Sequence, residues 1–173
     1  MEQKVTAPWM KGVIISLIMI VFGLTLYFTG QMMNKSLGYV QWLILIAGVI
    51  WADINFAKQM DGNVTFGNVF AHGFKTTAAV IVIMVVYSLI AVKFIYPELV
   101  DMIVAQSRAE MEKKGGVSAD DMDKAGQMIH KFFTIFMIGG IIIMFGICGA
   151  IASLIGAGVA RKNPNYNPLE QSS

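Results

Sequence analysis

The sequence is poor in charged residues and almost without cysteine. Only 14% of its 173 residues are Asp, Glu, Lys or Arg, whereas 56% are hydrophobic. A water-soluble domain carries about 25% charged residues, so this chain lacks the polar surface that would cover a soluble fold. The net charge of +2 gives no reason to expect a nucleic-acid partner. The single cysteine, Cys148, excludes an internal disulfide and lies in an apolar run typical of a small buried residue.

Signatures of enzymes and cofactor sites are also missing. The sequence contains no His-Glu-x-x-His motif, no Gly-x-Ser-x-Gly elbow and no glycine-rich phosphate loop that ends in Lys-Ser or Lys-Thr. The histidines, His72 and His130, begin two different apolar runs, and about 35 Å of helix rise would hold them apart, too far to share a haem iron. We therefore expect no enzymatic activity, no cofactor and no metal site.

Four apolar segments are long enough to cross the hydrocarbon core of a membrane, which takes about 20 mostly apolar residues in a helix. Open strands are excluded in lipid because their backbone groups would stay unpaired, and four spans are too few for a closed barrel. The predicted fold is therefore all-α, an integral membrane four-helix bundle that forms a single domain over residues 1–162. The spans are predicted at about residues 12–29, 39–56, 68–95 and 132–160.

A polar region, residues 97–131, separates the third span from the fourth. Apolar residues recur there at helical spacing, Gly115 and Gly116 interrupt the pattern, and Ser118 opens a second arm as a capping residue would. The second arm continues directly into the fourth span. We predict an extramembrane helical hairpin here, and a disordered tail over residues 163–173, which contain two prolines and no periodicity.

The turn between the second and third spans is flanked by polar residues that form a candidate polar cluster: Asp53, Asn55, His72 and Lys75. In an antiparallel hairpin that turns near Asn63, Asp53 and Lys75 have similar depth, so we predict that they can pair. Ionisable residues inside a span are candidate functional sites by default. Near a helix end, however, lysine can snorkel to the interface and aspartate can reach headgroup water. The sequence favours an anchor or structural pair and leaves a transport or binding site open.

The fourth span carries small residues at three- and four-residue steps along one face. Small side chains let helix backbones approach closely, which is how helices associate in lipid. We predict that this face packs within the bundle in preference to a partner. Its members are Gly146, Gly149, Ala150, Ser153, Gly156, Ala157 and Ala160.

Basic residues near the ends of the first span indicate the orientation of the chain. Lys4 and Lys11 precede the span and Lys35 follows it, which favours cytoplasmic termini because loops on that side are richer in Lys and Arg. The uncharged stretch up to Asn34 is too long for an ordinary signal-peptide core, and no small-x-small cleavage site follows it. We therefore expect this segment to remain as the first membrane helix.

Three stretches resemble a known family: TFGNVFAHGFKTTA at residues 65–78, YPELVD at residues 96–101 and ICGAIASLIGAGVARK at residues 147–162. With four spans and a polar insert before the last one, they resemble the domain-of-unknown-function family 4199, small membrane proteins found mainly in Bacteroidota. The resemblance runs from about Pro8 to Lys162. It implies a multi-pass protein of the bacterial inner membrane, and it implies no activity, cofactor or catalytic residue.

Two functions remain open at this stage. The first is an accessory, scaffold or assembly subunit that acts by interaction with a larger membrane complex or by self-association. The hairpin supports it, because this segment is too short for an enzyme domain and yet patterned to fold. The alternative is a small transporter or channel that uses the polar cluster at the edge of the second and third spans. Either function places the chain in a lipid bilayer, with another membrane protein or a second copy as its expected partner.

Overall fold

A computed structural model describes residues 5–116, 118–164 and 166 of the chain. This part of the chain contains five helices and no strand: α1 (Pro8–Phe28), α2 (Lys35–Gln59), α3 (Phe66–Phe94), α4 (Leu99–Lys114) and α5 (Ala119–Val159). All except α4 are long and apolar enough to cross a membrane, which confirms the predicted all-α class with four spanning helices. Lys4 and most of the predicted disordered tail, residues 163–173, lie outside the described residues.

The first two helices begin a few residues before the predicted spans, because capping residues set their ends and hydrophobicity does not. Pro8 occupies the first turn of α1 after the extended Ala7, a position where its missing N–H removes no hydrogen bond. At the start of α2, the Asn34 side chain accepts a hydrogen bond from the Ser36 N–H at 3.1 Å. Both helices therefore begin about one turn ahead of the predicted spans.

The predicted hairpin is present, and its second arm and the fourth span form one continuous helix, α5. The Ser118 hydroxyl accepts the Asp121 N–H at 3.1 Å and donates to the Asp121 carboxylate at 2.7 Å. This pair confirms the predicted helix start. Gly115 and Gly116 end the first arm with φ of +67° and +79°, a conformation that glycine adopts without strain.

The chain divides into two compact units, of which the first covers Met1–Met84 and Ile143–Ser173 and the second covers Val85–Ile142. Helices α3 and α5 each contribute one part to each unit.

Within the second unit, side chains of α4 and α5 hold the hairpin together. Arg108 of α4 forms an ion pair with Asp123 of α5. The two helices also approach closely at Gly126, where an added Cβ would lie 3.2 Å from Cγ1 of Val104. The hairpin is thus a packed pair of helical arms.

The small-residue face of α5 lies inside the first unit. Gly149, Ser153, Gly156, Ala157 and Ala160 are buried, and Gly146 and Ala150 are half-buried. A Cβ on Gly149 would collide with the side chain of Thr77 on α3. On α1, a Cβ added to Gly12 would lie 2.7 Å from Cβ of Ala79 on α3. Small residues therefore bring α1 and α5 into close contact with α3 in this unit.

Candidate functional site

A carboxylate lies at the centre of the first unit. Asp53 of α2 is 0% exposed and lies about 9 Å of helix rise before the end of α2 at Gln59. Gly73 of α3 and Gly156 of α5 flank it, and a Cβ added to either glycine would lie less than 3.0 Å from the carboxylate. The two glycines therefore create the space that this charged group occupies.

A histidine faces the carboxylate from α3. His72 is 5% exposed, and its Nδ1 lies 3.6 Å from Oδ1 of Asp53. This separation is short enough for an electrostatic contact but exceeds the length of a normal hydrogen bond. The imidazole stacks on the ring of Phe56, with centroids 4.3 Å apart and planes inclined by 10°. Stacking fixes the plane of the imidazole and leaves its two nitrogens on the ring edge.

A lysine of α1 completes the group. Lys11 is 1% exposed, and its Nζ donates a hydrogen bond to the backbone carbonyl of Ala52 at 3.1 Å. The ammonium also lies 6.0 Å from the centroid of the Phe56 ring, and its charge interacts with that of Asp53. We refer to Lys11, Asp53 and His72 as the charged cluster. A buried ion costs several kcal/mol of desolvation, about 20 kcal/mol in the idealised limit, so its members must compensate one another.

The charged cluster shares Asp53 and His72 with the predicted polar cluster, adds Lys11, and leaves out Asn55 and Lys75. The predicted pair of Asp53 and Lys75 is wrong, because Lys75 is exposed while Asp53 is fully buried against His72. Equal depth from the turn does not make two residues face each other. The inward face of α3 follows the buried residues Val69, His72, Gly73, Thr76, Thr77 and Val80, and Lys75 lies beside that face. Asn55 is half-buried and stands two positions along α2 from Asp53, on another side of the helix.

Lys11 is the member that the sequence analysis missed. Its position before an apolar run suggested a cationic flank of the first span in water, whereas the structure buries it. A usable signal existed in the neighbouring Gly12, because a glycine at this point lets α1 approach α3 closely enough to bring a lysine inside. A carboxylate as deep as Asp53 also calls for a cation on another helix.

Hydrogen bonding distinguishes two members of the charged cluster from the buried threonines and Ser153, whereas the hydroxyl of buried Ser16 also has no partner in the described part of the chain. Thr76, Thr77 and Ser153 each donate a hydroxyl hydrogen bond to the backbone carbonyl four residues earlier. Among the residues that the structure describes, no hydrogen bond of normal length reaches the carboxylate oxygens of Asp53 or the ring nitrogens of His72, and the two side chains face each other at 3.6 Å. A buried group without a partner costs about 1–3 kcal/mol, so four such atoms in one place point to a role beyond packing.

A cleft lies between the segment before α1 and the residues of α2 and α3 around His72. It has a volume of about 310 Å³ and is lined by His72 and Phe56, with Lys75 and Asn68 further along α3. The segment before α1 forms the opposite wall. Thr6 of this segment accepts a hydrogen bond from the Gln59 side chain at 2.9 Å and donates its N–H back at 3.0 Å. The imidazole is therefore the point where the cleft meets the buried carboxylate.

Four long apolar helices, with a carboxylate, an imidazole and an ammonium enclosed among them, define an α-helical membrane protein with a buried ionisable site. The profile of a family described as "Protein of unknown function (DUF4199)" matches residues 11–162. This match covers most of the chain, so the chain belongs to that family, and the resemblance drawn from its sequence motifs is confirmed. No curated protein and no solved structure matches the chain significantly. All three members of the charged cluster lie within the matched region.

Proposed function

We propose that the chain is a small membrane transporter that binds and releases a proton at the charged cluster. One observation carries this proposal. The Asp53 carboxylate is fully buried, lacks a hydrogen-bond partner among the described residues, and faces an imidazole that lines an open cleft. Aspartate and histidine pairs inside membrane segments are the usual components of proton relays.

Binding of one proton would change the net charge of the charged cluster. With Lys11 protonated, Asp53 ionised and His72 neutral, the three charges sum to zero. A proton that enters through the cleft and binds His72 leaves the cluster with one net positive charge. An uncompensated charge is expensive in a low-dielectric interior, so proton binding favours any arrangement of the helices that relieves it. This dependence is what a transporter needs to couple protonation to movement.

The distances support a transport site over a purely structural pair. A pair that only holds helices together gains most when every polar atom is hydrogen-bonded. Here the two groups stand 3.6 Å apart, and Lys11 donates a hydrogen bond to the backbone carbonyl of Ala52. Such an arrangement leaves both groups buried, with lone pairs that no hydrogen bond of normal length occupies.

Proton flux in liposomes tests the proposal. The full chain is reconstituted with a pH-sensitive dye inside, and a potassium gradient with valinomycin imposes a membrane potential. We expect proton entry with the natural chain and none with Asp53→Asn, which retains the shape of the side chain and loses its charge. Asp61→Asn is the matched control, because Asp61 is exposed in the α2–α3 turn at φ +51°, a conformation that asparagine tolerates.

Two results would refute a proton-transport role. One is an unchanged flux in Asp53→Asn protein whose circular dichroism spectrum and elution volume match those of the natural chain. The other is a natural chain that produces no flux above empty liposomes at either sign of the potential.

For the location, we propose the bacterial inner membrane with cytoplasmic termini. Lys58 lies in the last turn of α2, and Arg161 and Lys162 follow α5, so three bases flank span ends on the side of the C-terminus. On the other side, Lys35 begins α2, Lys93 lies in the last turn of α3 and Lys131 lies at the predicted start of the fourth span. These counts are equal, so the proposal rests on the first span, which Lys4 and Lys11 precede and Lys35 follows, as the positive-inside rule expects for cytoplasmic termini. Fusions of a periplasm-dependent reporter after Asn63 should be inactive, and an active fusion there contradicts the orientation.

A second function, interaction with a larger membrane complex, is favoured by the hairpin. Helix α4 contains no buried residue, although Val100, Ile103 and Val104 give it an apolar stripe. An apolar stripe left partly open is available to a partner. Crosslinking in native membranes followed by mass spectrometry should recover a protein joined to α4. Recovery of uncrosslinked single chains alone would speak against an accessory role.

A further inference from the structure

A second cavity lies in the first unit, where α2 and α5 end. It has a volume of about 670 Å³ and is separate from the cleft at His72. Ile54, Ala57 and Val159 form its apolar wall, and the side chains of Ile54 and Val159 are exposed on the outer surface of their helices. In a membrane, that wall is open to acyl chains.

The rim of this cavity is cationic. Lys58, Arg161 and Lys162 supply three positive charges and Asp61 supplies one negative charge, which leaves a net charge of +2 (3 − 1). Lys58 and Arg161 are exposed, and within the described part of the chain neither forms an ion pair. Two cations thus remain free for an anion.

The ends of α2 and α5 would repel an anion if their carbonyls were open, because a helix C-terminus carries partial negative charge. Lys162 prevents this on α5, where its ammonium donates to the carbonyls of Ala157 and Ala160. On α2, the Gly62 N–H donates to the Ala57 carbonyl at 2.9 Å. The charged side chains of the rim, with their net charge of +2, therefore face an incoming anion with these carbonyl groups already hydrogen-bonded.

Hydrogen bonds hold the rim in place. The Asn163 N–H donates to the Gly62 carbonyl at 2.8 Å, and the Asn163 side chain donates to Oδ1 of Asn63 at 3.0 Å. These contacts tie the segment that carries Arg161 to the α2–α3 turn. The backbone that carries Arg161 is therefore held by hydrogen bonds, which limits the entropy lost when the Arg161 guanidinium binds a ligand.

We infer that this cavity binds an anionic phospholipid. Its acyl chains would lie against Ile54 and Val159, and its phosphate would bind the ammonium of Lys58 and the planar guanidinium of Arg161. Basic pockets between spanning helices at the membrane surface bind anionic headgroups in this way. The inference does not depend on the proposed proton transport, because no member of the charged cluster lines the cavity.

Native mass spectrometry of the full chain in mild detergent tests this site with phosphatidylglycerol and phosphatidylcholine of identical chain length. We expect preferential retention of phosphatidylglycerol, and about a fivefold loss of its affinity for each of Lys58→Gln and Arg161→Gln. Phosphatidylcholine binding should not change in either variant. Lys93→Gln, at the end of α3 and outside the cavity, is the matched control and should bind both lipids as the natural chain does.

Three outcomes would overturn the lipid site. They are equal retention of the two lipids, an unchanged phosphatidylglycerol affinity in the folded Arg161→Gln protein, and displacement of phosphatidylglycerol by inorganic phosphate at equal concentration. Asp53→Asn protein should still retain phosphatidylglycerol. A failure of the lipid site and a failure of proton transport are therefore distinguishable.

Discussion

Gly73→Ala is the most direct probe of the charged cluster, because Gly73 of α3 packs directly against Asp53 of α2. An added Cβ would lie less than 3.0 Å from both carboxylate oxygens and from Cγ of Asp53. All three atoms are absent from an alanine at position 53. The collision should therefore vanish when Gly73→Ala is made in an Asp53→Ala background.

The expected magnitude follows from two opposing terms. An alanine in place of a helical glycine stabilises a helix by about 0.8–1 kcal/mol. Overpacking by one methyl group in a tightly packed interior destabilises by about 1–3 kcal/mol. Gly73→Ala should thus lower the free energy of unfolding by about 0–2 kcal/mol in the natural chain and raise it by about 1 kcal/mol with Asp53→Ala. The coupling between the two substitutions is about 1–3 kcal/mol.

Reversible unfolding in mixed detergent micelles, followed by circular dichroism, measures these free energies for four proteins: the natural chain, Gly73→Ala, Asp53→Ala and the double variant. Gly158→Ala on α5 is the control, because an added Cβ there meets no atom within 4 Å. It should be as stable as the natural chain or more stable in both backgrounds. If Gly73→Ala stabilises both backgrounds by the same amount, the carboxylate does not pack on Gly73 and the description of the site is wrong.

Two further substitutions test the burial of Lys11 and the start of α5. Lys11→Met removes the cation from the charged cluster and should lower the free energy of unfolding by about 3–5 kcal/mol. Lys75→Met, at an exposed position, should change it by no more than about 0.5 kcal/mol. Equal effects of the two substitutions in the unfolding assay would contradict the burial of Lys11. Ser118→Ala removes the cap of α5 and should lower the stability of its first turn by about 1 kcal/mol. Faster amide exchange confined to that turn is the expected readout, and an unchanged rate would reject the cap.

Local signals predicted the helices of this chain well. The apolar runs located four spans, and the physical reason is that a helix is the one structure that pairs its own backbone groups in lipid. Ser118 marked the start of α5 because a cap is a contact between near neighbours. The predicted ends of α1 and α2 were several residues short, since Pro8 and Asn34 extend each helix past its apolar part.

The partner of Asp53 could not be predicted in the same way. Position along the chain gives the depth of a residue in its span, and on that basis Lys75 was the expected cation. The direction in which a residue faces depends on which side of its helix packs inward, and on α3 that side carries His72 and Gly73. Lys75 stands beside it and remains exposed.

The sequence by itself determined that this protein consists of apolar helices of membrane-spanning length with a capped hairpin before the last one. Composition and capping act over a few neighbouring residues, so no knowledge of packing was needed. The assembly of Lys11 with Asp53 depended on how the helices pack, because Lys11 and its hydrogen-bond acceptor Ala52, the neighbour of Asp53, lie 41 positions apart in the sequence. They meet because Gly12, Gly73 and Gly156 let three helix backbones approach closely, a geometry that only the whole set of helices creates.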